Sequence, residues 1–491
     1  MKKIFVFLAV LLVSVSACKN PFLKKMLVED EKEIESPAPA TPANPGVPEP
    51  QLPKYTITFG VEGGTGGTLK AQVDGNEIHT GDSVEQGKTL VFTAKPAPDY
   101  VVEQWTKGGT VIGEAGTDTS YTYAVTADAD IKVKFQSLFV EGGASLILSP
   151  DKLDIEVTVT TADNSSVRIE GCTETELTSG TQTVLHAKGT RVILKGNIIK
   201  LYCLGNQLTA LNVQGCTALK ELYCYNNQLT ALNVQGCTAL QELLCYGNLL
   251  TELNVQGLTA LQWLCCWNNQ LTSIDVQGLT ALQYLYCYGN KLTELNVQGC
   301  TALQRLDCYN NQLTALNVQG CTALQELLCY GNLLTELNVQ GLNALQELNC
   351  GGNQLTSIDV QGCTALKTLN CYNNQLTALD VQGLTALKEL YCGGNQLTAL
   401  DVQGLTALQR LYCSGNQLTA DAFKKLFDDL PQRADSDNAE CVLYTEQIGV
   451  TEGNHTDFTA PSDLADAFNN AKNNKKWKMY KINGKGYWVG I

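Results

Sequence analysis

Histidine is scarce in this chain. Only three of its 491 residues are His, which leaves little material for a His-ligated metal site or a His general base. His79, His186 and His455 lie in three different segments, and no nucleophile motif or metal-ligand spacing surrounds any of them. The sequence therefore predicts neither an enzyme nor a bound metal or cofactor.

Basic charge is also scarce. Lys and Arg number 34 against 49 Asp and Glu, so the formal net charge is -15. A surface of this charge repels a polyphosphate backbone, and binding to nucleic acid is not expected. Only 17% of the residues are charged and 44% are apolar, which is enough apolar material for several cores and excludes a chain that is disordered throughout.

Apolar runs long enough to span a bilayer are missing, and the most apolar stretch stands at the start. Two lysines precede the run 4–13 and small residues follow it, an arrangement typical of an export signal over residues 1–17. The sequence Val-Ser-Ala-Cys at 15–18 resembles the lipobox of bacterial lipoproteins. This resemblance implies that Cys18 carries a lipid that anchors the mature chain to a membrane. The alternative is an ordinary signal peptide followed by an unrelated Cys.

Residues 18–53 are predicted to form a linker. An acidic cluster at 29–35 is followed by seven prolines between Pro37 and Pro53. Such a segment buries too little apolar surface to fold, and its prolines favour the extended polyproline II conformation. At about 3.1 Å per residue, the part from Ser36 onward would hold the following domains roughly 55 Å from the anchor. A lipid, a spacer and folded domains in this order indicate display at the cell surface.

Residues 54–137 are predicted to form a small β-rich module. Apolar and polar side chains alternate with the period of half-buried strands, as in 55–61. The glycine-rich run 63–67 is expected to be a hairpin turn, since the Gly-Lys-Ser/Thr of a phosphate-binding loop does not follow it. With Trp105 and the closing strand at 131–135, the segment resembles the divergent internalin B-repeat family of bacterial surface proteins. The resemblance implies a spacer or adhesive module.

A repeat with a period of 21 residues begins at Leu201. Residues 138–200, rich in β-formers, are interpreted as an N-terminal cap over the first open edge of this repeat. The array at 201–421 contains eleven units, the last incomplete, and joining one unit to the next gives L-x-x-L-x-C-x-x-N-x-L, the leucine-rich repeat pattern. A Cys in every unit replaces the usual Leu before the Asn turn, which resembles internalins that have a cysteine ladder. The resemblance implies a solenoid that recognises a receptor on another cell.

The predicted fold is mostly β. Each unit is expected to supply one short strand to a parallel sheet, with strands about 4.8 Å apart, and a return segment too short for a full helix on the convex side. The repeated Asn, from Asn206 to Asn416, is expected to satisfy backbone groups of the turn. The repeated Cys, from Cys203 to Cys413, is expected to be buried and reduced, because parallel side chains in register give poor disulfide geometry. Oxidation of an exported protein is the alternative.

Residues 422–491 are predicted to form an α+β cap on the C-terminal end. One helix face at 422–430 precedes Pro431, and a second helix is predicted from a Ser462 cap to about residue 472. Strands are predicted on both sides of Asn483-Gly484. The lysines between 472 and 485 are interpreted as a solvated face of this cap, with attraction of an anionic glycan or lipid headgroup as the alternative.

The candidate binding surface is the concave face, by which we mean the solvent side of the predicted parallel sheet. Three positions of each unit point to it: the residue after the first Leu, the residue after the Cys, and the last residue of the unit. Much of the variation between units falls there, and Tyr and Trp are frequent, side chains that give large contact area at small entropic cost. The predicted ligand-binding residues are Tyr223, Tyr225, Tyr246, Trp263, Trp267, Tyr284, Tyr286, Tyr288, Arg305, Asp307 and Tyr309.

The sequence thus predicts an exported bacterial cell-envelope lipoprotein, exposed at the surface, that acts as an adhesin. Its concave face would bind a protein receptor on a host or neighbouring cell. One alternative is a glycan-binding module that stacks sugars on the aromatic rings, and another is a passive structural component of the envelope. The rings could also serve only to shield strand backbones, since Tyr favours β-strands.

Overall fold

The computed structural model describes residues 51–97, 99–450 and 452–491. The predicted export signal, the candidate lipidation site Cys18 and most of the linker lie outside these residues. The described part is mostly β, as the sequence predicts, and combines a β-rich module, a solenoid and a cap with two helices. No helix in this part has the length and apolar character needed to cross a membrane.

The N-terminal module consists of two sheets around a common core. Its nine strands are β1 (Lys54–Val61), β2 (Gly67–Val73), β3 (Asn76–Ile78), β4 (Asp82–Glu85), β5 (Thr89–Pro96), β6 (Tyr100–Lys107), β7 (Thr110–Val111), β8 (Ser120–Ala124) and β9 (Ala129–Ser137). One sheet has the order β4-β1-β9-β6-β7 and the other the order β3-β2-β5-β8. The alternating apolar residues predicted from the sequence meet between them, with Ile57, Phe92 and Trp105 fully buried. The Trp105 indole donates a hydrogen bond to the Asp118 carbonyl, 2.8 Å away.

The predicted hairpin at the glycine-rich run is wrong. β1 and β2 pair in different sheets, and a 3-10 turn at Glu62–Gly64 starts the crossing between them. Gly66 adopts a φ of +90°, and a Cβ built on it would lie 2.6 Å from the Cβ of Phe135. The glycines therefore allow the backbone to pass closely over Phe135 as the chain changes sheets.

The segment before the repeats closes the open end of the solenoid. Its strands are β10 (Gly143–Ile147), β11 (Asp154–Thr161), β12 (Val167–Glu170), β13 (Glu176–Leu177), β14 (Gln182–His186), β15 (Arg191–Lys195) and β16 (Ile198–Tyr202). β11 lies antiparallel between β14 and β16, and β16 pairs in parallel with the next repeat strand. The edge of the repeat sheet is thus covered by two antiparallel strands, β11 and β14, which remove an exposed parallel edge.

The repeats form one continuous parallel sheet in a 21-residue register. Leu201 lies opposite Leu222, Leu222 opposite Leu243, and so on to Leu411. The strands after β16 are three residues long: β18 (Glu221–Tyr223), β19 (Glu242–Leu244), β20 (Trp263–Cys265), β22 (Tyr284–Tyr286), β24 (Arg305–Asp307), β25 (Glu326–Leu328), β26 (Glu347–Asn349), β27 (Thr368–Asn370), β28 (Glu389–Tyr391) and β29 (Arg410–Tyr412). On the return side are β17 (Ala210–Asn212), β21 (Ser273–Asp275) and β23 (Glu294–Asn296).

The repeated Asn connects neighbouring coils from the interior. Asn311, 8% exposed, donates through Nδ2 to the carbonyls of Cys287 and Cys308, at 3.1 and 3.0 Å. Its Oδ1 accepts a hydrogen bond from the Leu292 amide at 3.0 Å. The repeated Asn therefore satisfies backbone groups of the turn, as predicted. The same hydrogen bonds also join each coil to the previous one.

The repeated Cys packs in the core as a small apolar residue. All 19 cysteines of the described residues are free and buried. Burial raises the pKa of Cys203 to about 12 and that of Cys265 to about 12, so neither forms a thiolate at neutral pH.

These thiols are expected to be inert in the folded protein. Iodoacetamide at neutral pH should label none of the cysteines from Cys172 onward in the native state, and all of them in urea, as counted by intact-mass spectrometry. Fast native labelling, or a mass deficit that disulfides would produce, would contradict the buried and reduced arrangement.

The C-terminal cap extends the sheet beyond the last recognisable repeat. It contains α1 (Ala420–Asp429), β30 (Glu440–Thr445), α2 (Ser462–Asn473), β31 (Lys478–Ile482) and β32 (Trp488–Gly490). β30 continues the parallel order after β29, with Cys441 opposite Leu411, and Asn454 takes over the bridging role of the repeated Asn by accepting from the Leu418 amide. β30 was not predicted from the sequence.

Both predicted helices and the predicted terminal hairpin are present, with one difference. The N-cap of α2 is Pro461 rather than Ser462, and no side chain caps that end. α1 is capped by Thr419, whose hydroxyl accepts a hydrogen bond from the Ala422 amide. Several of the terminal lysines bond within the cap: Lys475 donates to the Phe427 carbonyl at 3.0 Å, and Lys481 pairs with Glu446 at 2.7 Å.

Candidate functional site

Each repeat strand separates core residues from surface residues by the alternation of a β-strand. In the coil of Leu285, the side chains of Leu285 and Cys287 are fully buried, whereas Tyr284, Tyr286 and Tyr288 are partly exposed on the other side. The same alternation orients the side chains of the other coils, although a few residues on this side, such as Cys265 and Asp307, are buried. The three variable positions therefore form three parallel rows across the concave face.

The row after the Cys contains a continuous stack of aromatic rings, which we call the aromatic ladder. Neighbouring rings lie 4.1 to 5.1 Å apart between centroids, and their planes differ by only 8° to 10°. All are half-buried. The members are Tyr225, Tyr246, Trp267, Tyr288, Tyr309 and Tyr330.

Stacking determines which parts of the ladder rings are accessible to a ligand. Each inner ring is covered on both faces by its neighbours, so the exposed parts are the ring edges and, at the tyrosines, the hydroxyl groups. Burial raises the pKa of Tyr246 to about 12, so this hydroxyl keeps its proton at neutral pH. The ladder is thus an uncharged strip with hydrogen-bonding groups along an apolar edge.

A second aromatic cluster lies beside the ladder. Trp263 packs at a tilt against Tyr284 and Tyr286, with centroid distances of 5.3 and 6.2 Å. Its indole Nε1 is 3.0 Å from the sulfur of Cys265, which occupies a concave-face position although it is buried. At 39% exposure, Trp263 is more open than the ladder rings around it.

Tyr223 belongs to neither of these groups. It stacks on Tyr202 at 4.2 Å, near the N-terminal end of the sheet, and the two hydroxyls donate to Glu221 and Glu242. Lys200 pairs with Glu221 at 2.6 Å. This end of the concave face is thus a polar network whose members already have partners.

Arg305 and Asp307 form an ion pair in the middle of the face. The guanidinium Nε and Nη2 groups donate to the two carboxylate oxygens of Asp307 at 3.0 and 3.1 Å, and Nη1 pairs with Glu326. Asp307 is only 4% exposed, so the expectation that it faces solvent is wrong. The physical reason is that Arg305 lies over it, 5.6 Å from the Tyr286 ring centroid, and excludes water from the carboxylate. A ligand would contact Arg305 instead.

The pair predicts a pH-dependent stability. Burial raises the pKa of Asp307, and Arg305 opposes that rise. In Arg305→Met the opposing charge is lost and the folded-state pKa rises further. The folded protein then holds a proton that the unfolded chain has lost, so stability falls as pH rises through that interval. We expect a cost of roughly 2 kcal/mol at pH 7, below that of a fully buried pair because Arg305 is partly exposed. The cost should shrink as pH falls toward the raised pKa.

Urea unfolding at several pH values measures this cost. The matched control is Arg305→Met in an Asp307→Asn background, where no buried charge is left unpaired and most of the pH dependence should disappear, since the side chain of Glu326 is far more exposed than that of Asp307. A cost that is the same at acid and neutral pH in both backgrounds would assign Arg305 a packing role only.

The structure brings most of the predicted binding residues together. Five of them belong to the ladder and three to the Trp263 cluster, and Arg305 is next to Tyr284 of this cluster in the strand register. Tyr330 was not among the predicted binding residues, although it ends the ladder. The uninterrupted run of aromatic residues at intervals of 21, which stops at Gly351, could have identified it from the sequence.

In the described ranges, no group of three or more His, Cys, Asp or Glu side chains is arranged to hold a metal ion. The concave face accordingly offers aromatic edges, hydroxyls, amides and a few charges, a set of groups suited to binding a surface.

Comparison with known proteins identifies two families in the chain. The family described as "Leucine Rich repeats (2 copies)" matches residues 259–299 and 343–384. The "Divergent InlB B-repeat domain" matches residues 55–138. Among curated proteins, no match was found.

Several solved structures are similar to this chain. The functional domain of InlJ from Listeria monocytogenes, which includes a cysteine ladder, is 27% identical over 56% of this chain and 72% of that one, with a TM-score of 0.39. The leucine-rich repeat protein LIC12759 of Leptospira interrogans is 27% identical over 47% of this chain and 69% of its own, with a TM-score of 0.36. The internalin InlF of Listeria monocytogenes is 24% identical over 45% of this chain and 82% of its own, with a TM-score of 0.32. By its two family matches and its 21-residue strand register, the chain carries a leucine-rich repeat solenoid preceded by a divergent InlB B-repeat domain.

Proposed function

We propose that this protein is an exported surface protein that binds a protein partner through the concave face, without catalysis. The observation that carries the proposal is the aromatic ladder, six stacked rings on the solvent side of a rigid sheet. Aromatic side chains held in one orientation lose little entropy on binding, which is why they dominate protein interfaces.

The fold does not require these rings. The equivalent position holds Leu204, Gly351, Gly393 and Ser414 in other coils, and the strands of those coils pair in the same register. A role limited to shielding strand backbones would not explain why the rings are consecutive in the middle of the array and absent at its ends. A ligand surface explains both.

Ring geometry favours a protein over a sugar as the ligand. A sugar stacks on the flat face of an aromatic ring, but the inner faces of the ladder are covered by neighbours at 4.1 to 5.1 Å. Exposed edges and hydroxyls suit the mixed apolar and hydrogen-bonding surface of a protein.

The proposed location follows from the sequence and the family matches together. The export signal, the lipid at Cys18 and the proline-rich linker would place the B-repeat domain and the solenoid outside the cell, at a distance from the membrane. A partner on a host or neighbouring cell would make the protein an adhesin, which is the role implied by its resemblance to internalins.

The experiment compares two triple variants on the same three coils. The ladder variant is Tyr246→Ser, Trp267→Ser and Tyr288→Ser, and the matched control is Gln256→Ser, Gln277→Ser and Gln298→Ser on the return side. Each purified protein is used to capture proteins from host-cell and bacterial-cell membranes and is also applied to a glycan array.

We expect the parent and the control to capture the same protein and the ladder variant to lose it, with no change in glycan signals. Saccharide binding that the ladder variant loses would favour the glycan-binding alternative. Equal behaviour of all three proteins in both assays would favour a passive envelope component.

A further inference from the structure

The ladder is interrupted by a gap of one ring. After Tyr330, the next coil has Gly351 in the ladder row and the coil after that has Tyr372. In the described residues no ring stacks on Tyr372, which is 46% exposed. Two tyrosines therefore stand on either side of a coil that has no side chain in this row.

The gap has the width of one flat ring. Neighbouring strands lie about 4.8 Å apart, so the Cα atoms of the two tyrosines are separated by roughly 9.6 Å along the sheet. A ring in contact with another ring on each side needs about 7 to 8 Å, whereas two rings would need about 10.5 to 12 Å. When both tyrosine rings stand above their own coils, one ring therefore fits between them and two do not.

The space over Gly351 is bordered by polar groups. The three atoms nearest to a Cβ built on Gly351 are the Tyr372 carbonyl oxygen at 3.1 Å and the Oδ1 atoms of Asn370 and Asn349 at 3.3 and 3.4 Å. None of them belongs to a ring. The Tyr372 ring lies over Gly393 instead, where Cδ2 and Cε2 would be 3.1 and 3.2 Å from a Cβ. The Tyr372 ring thus leans away from Gly351 and leaves the gap open, and this exposed ring has to turn back toward Gly351 to cover a bound ring.

An acidic group stands at the other end of the same strand. Glu347 precedes Gly351 by four residues, about 13 Å along an extended chain. Within the described residues it has no ion pair, whereas its neighbour Glu326 is paired with Arg305. Its partial burial beside another carboxylate makes a cationic partner favourable.

We infer that the gap over Gly351 binds one aromatic side chain of the partner, stacked between Tyr330 and Tyr372, and that Glu347 binds a basic side chain of the same partner segment. This inference rests on the proposed function and names the chemistry of the partner: an extended segment with a Trp or Tyr and a Lys or Arg four residues apart. Both side chains then point to the same side of the segment, and four residues span about 13 Å, the separation of Gly351 and Glu347.

The test uses short peptides and the full protein. The probe is acetyl-Lys-Gly-Gly-Gly-Trp-amide with a 5-fluorotryptophan, and its binding is followed by fluorine NMR. A comparison peptide with Glu in place of Lys carries the same label, and an unlabelled peptide with Leu in place of Trp is measured by competition with the probe. The slot variant is Gly351→Tyr, which places a ring in the gap. Gly351 does not have a left-handed backbone and the same position in the preceding coil is Tyr330, so the coil accepts this residue once the Tyr372 carbonyl, 3.1 Å from a Cβ at this position, shifts slightly. The matched control is Gly351→Ala, which adds a methyl group and leaves the gap open.

For the parent we expect a Kd on the order of 1 mM, typical of a fragment with few contacts. Gly351→Tyr should weaken binding at least about tenfold and Gly351→Ala less than about threefold, with unchanged thermal unfolding. Tyr372→Ala should behave as the slot variant does. The parent should bind the Glu-containing peptide several-fold more weakly than the Lys-containing one. Glu347→Gln should bind the two peptides equally.

Equal binding of the Trp and Leu peptides, equal binding to parent and slot variant, or no signal change up to about 10 mM would overturn the inference. Its failure is distinguishable from failure of the proposed function. If the ladder variant loses the captured protein while Gly351→Tyr retains both protein and peptide, only the inference about the gap is wrong. If the ladder variant still captures the protein, the proposed function itself is wrong.

Discussion

Replacing Trp267 with Ser is expected to weaken binding to the protein partner by about thirtyfold, which corresponds to about 2 kcal/mol. Trp267 stands inside the ladder, 4.1 Å from Tyr246 and 5.1 Å from Tyr288. Its loss removes the largest contact surface of the row and also divides the ladder into two shorter stacks whose rings are less well held. Both effects lower affinity, because the remaining rings would then lose more freedom on binding.

Surface plasmon resonance with the captured protein measures this change. Gln277→Ser, on the same coil but at the exposed return side, is the matched control and should bind as the parent does. Most of the loss should appear as faster dissociation, since mutations in one interface change that rate more than association. Parent-like affinity of Trp267→Ser, at an unchanged unfolding temperature, would mean that the centre of the ladder is not part of the interface.

The replacement Asn311→Asp is expected to lower the free energy of unfolding by about 3 to 5 kcal/mol. The substitution keeps the shape of the side chain but turns its donor into an acceptor. Two backbone carbonyls that now receive hydrogen bonds from Nδ2, at 3.1 and 3.0 Å, would instead face a carboxylate. The carbonyls of Cys287 and Cys308 would lose their donor, and a buried charge would be left without a partner.

The chain supplies its own control for this substitution. Asn317 lies on the same coil, and its Oδ1 accepts a hydrogen bond from the Gln319 amide at 3.0 Å. At the equivalent position other coils already have Asp, as in Asp275, which accepts the same bond from Gln277. Asn317→Asp should therefore cost less than about 0.5 kcal/mol. Similar costs for the two substitutions in urea unfolding would contradict the bridging role of the repeated Asn.

The 21-residue period was sufficient to predict the solenoid and the orientation of its side chains. Side chains alternate along an extended strand. Since the Leu of each strand and the Cys that follows point to one side, the residues before, between and after them must point to the other. That is why Trp267 and Tyr288 could be assigned to the solvent side from sequence. The repeat spacing also places the ring of one coil next to that of the following coil.

Contacts between unlike residues were not predictable in this way. The burial of Asp307 depends on the side chain of Arg305 folding back over it, and the pattern of a repeat contains no information on that choice. The covering of ring faces within the ladder depends on the torsion angles that neighbouring rings adopt together. The sequence therefore predicted a row of open rings where the structure has a stack.

Long-range pairing was the other source of differences. β30 joins the repeat sheet although Cys441 follows Leu411 by 30 residues, so the period that identifies the other strands is absent. The glycine-rich run at 63–67 looked like a hairpin because its flanking strands are adjacent in sequence. Their assignment to two different sheets depends on β9, which enters between β1 and β6 about 70 residues later.

Photocrosslinking tests most directly whether the concave face binds a protein. A benzoylphenylalanine replaces either Tyr309 in the ladder or Gln319 on the return side of the same coil, and each purified protein is irradiated on intact target cells. We expect a covalent adduct with one protein from position 309 and none from position 319. Adducts of equal yield from both positions, or from position 319 alone, would contradict binding through the sheet.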